Sequence, residues 1–138
     1  MFLLDTNVVS EYRKIRHGNA DPNVALWADS VETHNQFVSV ITIQELEIGI
    51  LRIERRDAPQ GLNLRRWMHD HVLPTFANRT LVVDTVIALR SAQLHVPDPR
   101  PVRDALIAAT ALVHRMTLVT RNVRDFAGTG VASFNPWA

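Results

Sequence analysis

Cysteine is missing from all 138 residues, and lysine occurs once, as Lys14. Without cysteine there is no disulfide, no zinc–thiolate centre and no thiol nucleophile. A chain with no need of disulfides is expected in a reducing compartment such as the cytoplasm. With its single lysine so early, the sequence excludes chemistries that need a lysine late in the chain. Glycine is scarce, at five residues, and neither an internal repeat nor a low-complexity tract is present. No apolar run approaches the ~20 residues of a membrane span, and Asp5 breaks the N-terminal run that a signal peptide would need. No membrane partner is therefore expected. Strong charge of either sign is absent too: a net +1 falls short of the footprint of a dedicated DNA-binding domain. At this length one domain over residues 1–138 is expected, burying roughly two-thirds of its unfolded surface.

What is present is an alternation of short apolar runs and longer helical patterns. The candidate strands are FLL (2–4), QFVSV (36–40), TLVV (80–83), TLVT (117–120) and VASF (131–134). Between the first two, Asp21 as N-cap and Pro22 at the first helical position start a helix over DPNVALWADSV. TIQELEIGILRIERR places Leu46, Ile50 and Ile53 on one stripe, with a Thr42/Glu45 capping box at its head. A Pro-Gln-Gly break at 59–61 separates it from a helix over LNLRRWMHDHVLPTFA. Asp84 caps TVIALRSAQLH. The proline-rich loop VPDPRP (96–101) leads into VRDALIAATALVHR, apolar enough that it must be buried. Continuous apolar strands separated by helices imply a parallel sheet covered on both faces. The expected fold class is α/β, a three-layer α/β/α sandwich with a mainly parallel central sheet.

In such sheets, ligands bind beyond the carboxyl ends of the strands. Asp5 follows the first strand, Glu45 is expected in the first helical turn after the second, and Asp104 lies in the first turn of the buried helix. Asn122 comes two residues after the fourth strand. Strand C-termini and helix N-termini share one edge, so these four side chains are expected to converge there. Each also has a plain structural reading as a cap or dipole partner, Asp5-Thr6-Asn7 as the cap of a short helix over VVSEYRK that begins at Val8. Asp104 strains that reading most, because an unpaired carboxylate among Ala105, Leu106, Ile107 and Ala108 is costly. Acids gathered on one edge repel one another unless a cation sits among them. Magnesium, which prefers hard oxygen ligands and substrate phosphates, suits such a set.

LLDTNVVSE, SVITIQELEIGI, RDALIAATAL and TLVTRNVRDF, in that order and followed by NPW, resemble a VapC-type PIN-domain toxin of a type II toxin–antitoxin system, over essentially the whole chain. The resemblance implies a PIN-like fold and an endoribonuclease dependent on Mg2+ or Mn2+, cleaving RNA by attack of metal-activated water on a phosphodiester. By position, Asp5 and Asp104 match the metal-binding acids and Glu45 the third acid, often one water removed from the metal. Asn122 stands where many members carry a fourth aspartate, and Asp125 is the alternative fourth acid. The resemblance further implies a cognate small antitoxin, a homodimer, and a larger toxin–antitoxin assembly. Which RNA is cut stays open among transfer, ribosomal and messenger RNA. Arg52, Arg55, Arg56, Arg65 and Arg66 are candidate phosphate contacts, or simply a solvated helix face.

Rival readings fail on particular residues. A haloacid-dehalogenase-like phosphatase needs a second aspartate where Asn7 stands, and both it and a response-regulator receiver need a late lysine. No G-x-S-x-G elbow or H-E-x-x-H is present, and His69 and His71 would diverge on a helix. The remaining alternative is a PIN-like module that binds RNA or a partner with little or no cleavage. Asn122 is the residue that keeps it open, and metal-dependent cleavage of single-stranded RNA separates the two.

Overall fold

A computed structural model describes residues 1–138. Strand β1 (Phe2–Leu4) runs into α1 (Thr6–Arg16) and α2 (Pro22–Ser30), then β2 (Gln36–Ser39) and the long α3 (Val40–Arg56). Helix α4 (Ala58–Trp67) continues through a π-type turn, Met68–Val72, into a last turn, α5 (Leu73–Thr75). Then come β3 (Thr80–Leu81), α6 (Thr85–Gln93), α7 (Val102–His114), β4 (Thr117–Val119), a 3-10 turn at Val123–Phe126 and β5 (Ser133–Phe134). The sheet order is β3-β2-β1-β4-β5, and every pairing is parallel.

Strand alternation sends neighbouring residues to opposite faces, and two cores result. Leu3 and Leu118 join Ile87, Ile107 and Phe126 beneath α6 and α7. Leu4 and Val119 join Val8, Leu46, Leu64 and Met68 beneath α1, α3 and α4. The α/β/α sandwich with a parallel sheet is as the sequence predicts. At about 1.5–3 kcal/mol for each large side chain buried, these two layers hold the central strands so that their carboxyl ends line up.

All five strands fall where the apolar runs lie, but three helical boundaries differ from expectation. Helix α3 begins at Val40, capped by Ser39, whose Oγ accepts from Ile41 N at 3.0 Å. Thr42 and Glu45 therefore form no capping box. Thr42 is buried within the helix, and Glu45 falls in its second turn. The Pro-Gln-Gly stretch is no break but part of α4. Asp57 closes α3 with its backbone N–H and caps α4 through Oδ1, which accepts from Gln60 N at 3.2 Å. Gly61 is buried in that helix because a Cβ there would sit 2.6 Å from Glu54 Cα. The close approach of α4 to α3 thus requires glycine. Lastly, α1 starts at Thr6 rather than Val8, with Asp5 as its N-cap.

Candidate active site

Asp5 sits where β1 becomes α1, and its position is fixed from both sides. Its backbone N–H donates to Val119 O at 2.9 Å, which ties it to β4. Its Oδ1 accepts from Thr6 N at 2.8 Å and its Oδ2 from Thr120 Oγ1 at 2.8 Å. The carboxylate is buried, with 7% of the residue exposed. Burial pushes its pKa above the ordinary aspartate value, although Thr120 and Thr6 hold it down, and the charges of Glu45 and Asp125 push it further up. Burial likewise raises Asp104, helped by Asp5, Glu45 and Asp125, while Arg103 opposes the shift.

These mutual influences define one acid edge at the carboxyl ends of β1, β2 and β4. Asp104 reaches it from the first turn of α7. Glu45 is held by two neighbours: Thr6 Oγ1 donates to its Oε1 at 2.6 Å, and Arg103 Nε lies 3.2 Å from its Oε2. Thr6 Oγ1 also lies 3.3 Å from Thr42 Oγ1, so the misread capping residue still belongs to the neighbourhood of the site.

Asn122 occupies the N-cap position of the 3-10 turn but gives no capping hydrogen bond. Its backbone N–H donates to Thr120 Oγ1 at 3.1 Å, which places it beside Asp5's partner. Asp125, in the same turn, adds negative charge felt by both Asp5 and Asp104. Arg100 steadies this turn, with Nη2 donating to Ala127 O at 2.8 Å and Nε to Leu94 O at 3.2 Å. Of the arginines suggested for phosphate contact, Arg65 is engaged by Glu47 and Glu54 instead.

Three contributors escaped the sequence reading. Thr120 was assigned to a strand, yet its hydroxyl donates to Asp5 and accepts from Asn122 N. Thr6 bridges Asp5 and Glu45. Arg103 is the cation among the acids. The available signal was polarity: Thr6 and Arg103 stand directly beside Asp5 and Asp104, and Thr120 closes an apolar run.

The donor set suits a hard divalent cation, since every acid offers carboxylate oxygen and Asp5 is buried against neutral donors only. In the conformation described, no three acidic or histidine side chains are close enough together to hold an ion. Both Asp5 oxygens and both Glu45 oxygens are engaged by the chain's own groups. Asp5 and Asp104 are the pair whose raised pKa values a bound cation would reverse.

Residues 2–131 match the model of the PIN domain. The toxin FitB of Neisseria gonorrhoeae is 35% identical over 144 residues, covering 99% of both chains. The VapC ribonuclease Y4jK of Sinorhizobium fredii is 31% identical over 145 residues, covering 99% of this chain and 98% of that protein. Among solved structures, FitAB bound to an IR36 DNA fragment superposes with a TM-score of 0.88 at 34% identity, covering 100% of this chain and 96% of that one. A toxin–antitoxin complex from Klebsiella pneumoniae superposes with a TM-score of 0.71 at 26% identity, covering 99% and 98%.

Proposed function

The chain belongs to the PIN-domain family, and on that premise we propose that it is a VapC/FitB-type endoribonuclease, the toxin of a toxin–antitoxin pair, with Asp5, Glu45, Asp104 and Asn122 at its active site. The observation that carries this reading is the imbalance of the acid edge. Burial raises the pKa of both Asp5 and Asp104, the charges of Glu45 and Asp125 add to both, Asp5 adds to Asp104, and Arg103 is the cation that opposes the shift at Asp104. A fold gains nothing from such repulsion, whereas a Mg2+ or Mn2+ site uses it.

Asp5 and Asp104 would hold the ion directly, with Glu45 in reach through water. What a divalent ion supplies there is a lowered pKa for a water nucleophile and neutralisation of the phosphodiester's charge. The chain does the rest. Thr120 and Thr6 N–H fix the Asp5 carboxylate, so its geometry is set before substrate arrives. Glu45 is aimed by Thr6. The Asn122 amide offers oxygen without charge, which suits orienting a water more than holding a second ion.

A cleft of about 290 Å3 opens beside Thr6 and Glu45, between α1, α3 and α4, and is floored by Leu46, Ile50, Leu64 and Trp67. We assign it to an antitoxin segment presenting an apolar helical face, in keeping with the FitAB and toxin–antitoxin complexes that share the fold. Exposed Val82, Val86 and Leu89 support self-association as a homodimer. No helix is long and apolar enough to cross a membrane.

The test is cleavage of a single-stranded RNA with Mg2+ or Mn2+ and with EDTA. Cleavage that stops in chelator and returns with either ion, but poorly with Ca2+, supports the reading. Full activity in excess chelator removes the metal, and binding without cleavage selects the non-catalytic alternative.

A further inference from the structure

Arg103 is out of place for a purely structural residue. It precedes Asp104 by one position at the head of α7, and its guanidinium stands 3.2 Å from Glu45, one of the acids a cation is meant to meet. The pair is only partly shielded, with the Arg103 side chain 50% exposed and that of Glu45 23%. Ion pairs as open as this add little to stability. In return, Arg103 places a positive charge where a metal ion has to compete with it.

The same side chain borders a second space. A cleft of about 580 Å3 opens between the heads of α3 and α7, and Glu45, Arg103 and Asp104 line it together with Ile41, Gln44 and Leu106. No cation but Arg103 lines this cleft. An RNA strand crossing the acid edge would bring a phosphate next to it, and a guanidinium fork matches a phosphate's paired oxygens better than any other side chain.

We propose that Arg103 is a two-position residue: it neutralises Glu45 while the acid edge is free of metal, and it takes a substrate phosphate in the α3–α7 cleft once a divalent cation takes over Glu45. This rests on the ribonuclease reading. It makes Arg103 a positioning residue that links metal uptake to substrate uptake. Before the ion arrives, the guanidinium belongs to Glu45 and the cleft lacks its phosphate contact. After the ion arrives, Glu45 no longer needs a partner, and the released charge faces the cleft.

The experiment uses the full chain with Arg103→Ala, Arg103→Gln and Arg103→Lys. Titration calorimetry with Mn2+ in the absence of RNA reads the first position. Removing the competing charge should tighten Mn2+ binding about three- to tenfold in both neutral variants. Steady-state kinetics on single-stranded RNA read the second position. KM should rise about tenfold in the neutral variants, more than kcat falls, and its dependence on salt should weaken by close to one phosphate contact. Arg103→Lys should restore most of the Mn2+ competition and part of the KM. Arg103→Gln keeps the length of the side chain and serves if Arg103→Ala folds poorly. A wild-type value for Mn2+ affinity or for KM in both neutral variants overturns the proposal. Wild-type protein that takes up no Mn2+ and cuts no RNA overturns the ribonuclease reading instead.

Discussion

Asp5 and Glu11 lie six residues apart and are buried to nearly the same depth, 7% and 8% exposed, yet their surroundings are opposite. Glu11 has its cation: Lys14 Nζ lies 3.2 Å from Oε1, and Oε2 accepts from Asp21 N at 2.9 Å. It pins the loop between α1 and α2 with its charge balanced. Asp5 has only a hydroxyl and a backbone N–H for partners, and the charges of Glu45 and Asp125 bear on it. Burying a carboxylate without a counter-charge is costly, so the two sites obey different rules. At Glu11 the carboxylate stabilises the fold. At Asp5 the fold holds the carboxylate in place without a counter-charge, as the proposed metal site requires.

The largest expected effect comes from neutralising the unbalanced group. Asp5→Asn and Asp104→Asn should each cut RNA cleavage by on the order of 100-fold or more, the scale of losing a metal's several kcal/mol. Circular dichroism should show an unchanged fold. Either variant cutting at the wild-type rate would move that residue to the Glu11 category. Glu45→Gln should also lose activity, but without the loss of helix capping the sequence suggested, because Ser39 is the cap.

The balanced carboxylate should respond in the other sense. Glu11→Ala frees Lys14 and leaves Asp21 N without its acceptor, so urea denaturation should report a loss of about 1–3 kcal/mol. Cleavage per folded molecule should stay at the wild-type level. A cleavage defect with stability intact would contradict the contrast drawn between the two sites.

Protonation gives a gentler probe. Asp5 and Asp104 have raised pKa values, so between the ordinary aspartate value and the raised ones the folded chain holds more protons than the unfolded chain. Their contribution is therefore most favourable at acid pH and is lost as pH rises through that window. Melting in EDTA from pH 4 to 7 should favour Asp104→Asn over wild type by an amount that grows with pH, to about 3 °C. Mg2+ should close that gap by stabilising only the wild type. A gap that shrinks as pH rises would show that neighbours compensate the acids. Smallest of all, Asn122→Asp should tighten Mn2+ binding a few-fold in calorimetry, a carboxylate being the stronger ligand. Asn122→Ala should reduce cleavage less than Asp104→Asn does.

Much of this contrast was legible in the chain. Five apolar runs separated by helical patterns were enough for the sheet and its two covers, since burial on both faces dictates such runs. Asp5 and Asp104 stood out because a carboxylate ended or interrupted an apolar stretch. What was not legible depended on partners distant in sequence. Thr42 and Glu45 have the spacing of a capping box, but β2 ends at Ser39, whose hydroxyl claims the helix start first. Pro59 and Gly61 look like punctuation, and only the approach of α4 to Glu54 explains a glycine inside a helix. Thr120 is a good strand residue by composition, and its hydrogen bond to Asp5 spans 115 positions. Arg103 resembles any surface arginine until α3 brings Glu45 beside it.

The sheet has one more property with consequences for the molecule in company. Both outer strands, β3 and β5, are two residues long, so each offers only about 7 Å of open backbone edge at ~3.3 Å per residue. That is too short a template for a foreign strand to add to, and such brevity protects against edge-to-edge stacking and fibril growth. Copies of the chain are therefore expected to meet through exposed side chains such as Val82, Val86 and Leu89 rather than by lengthening the sheet. Such contacts leave each copy's sheet as it is, closed at both edges by strands of two residues.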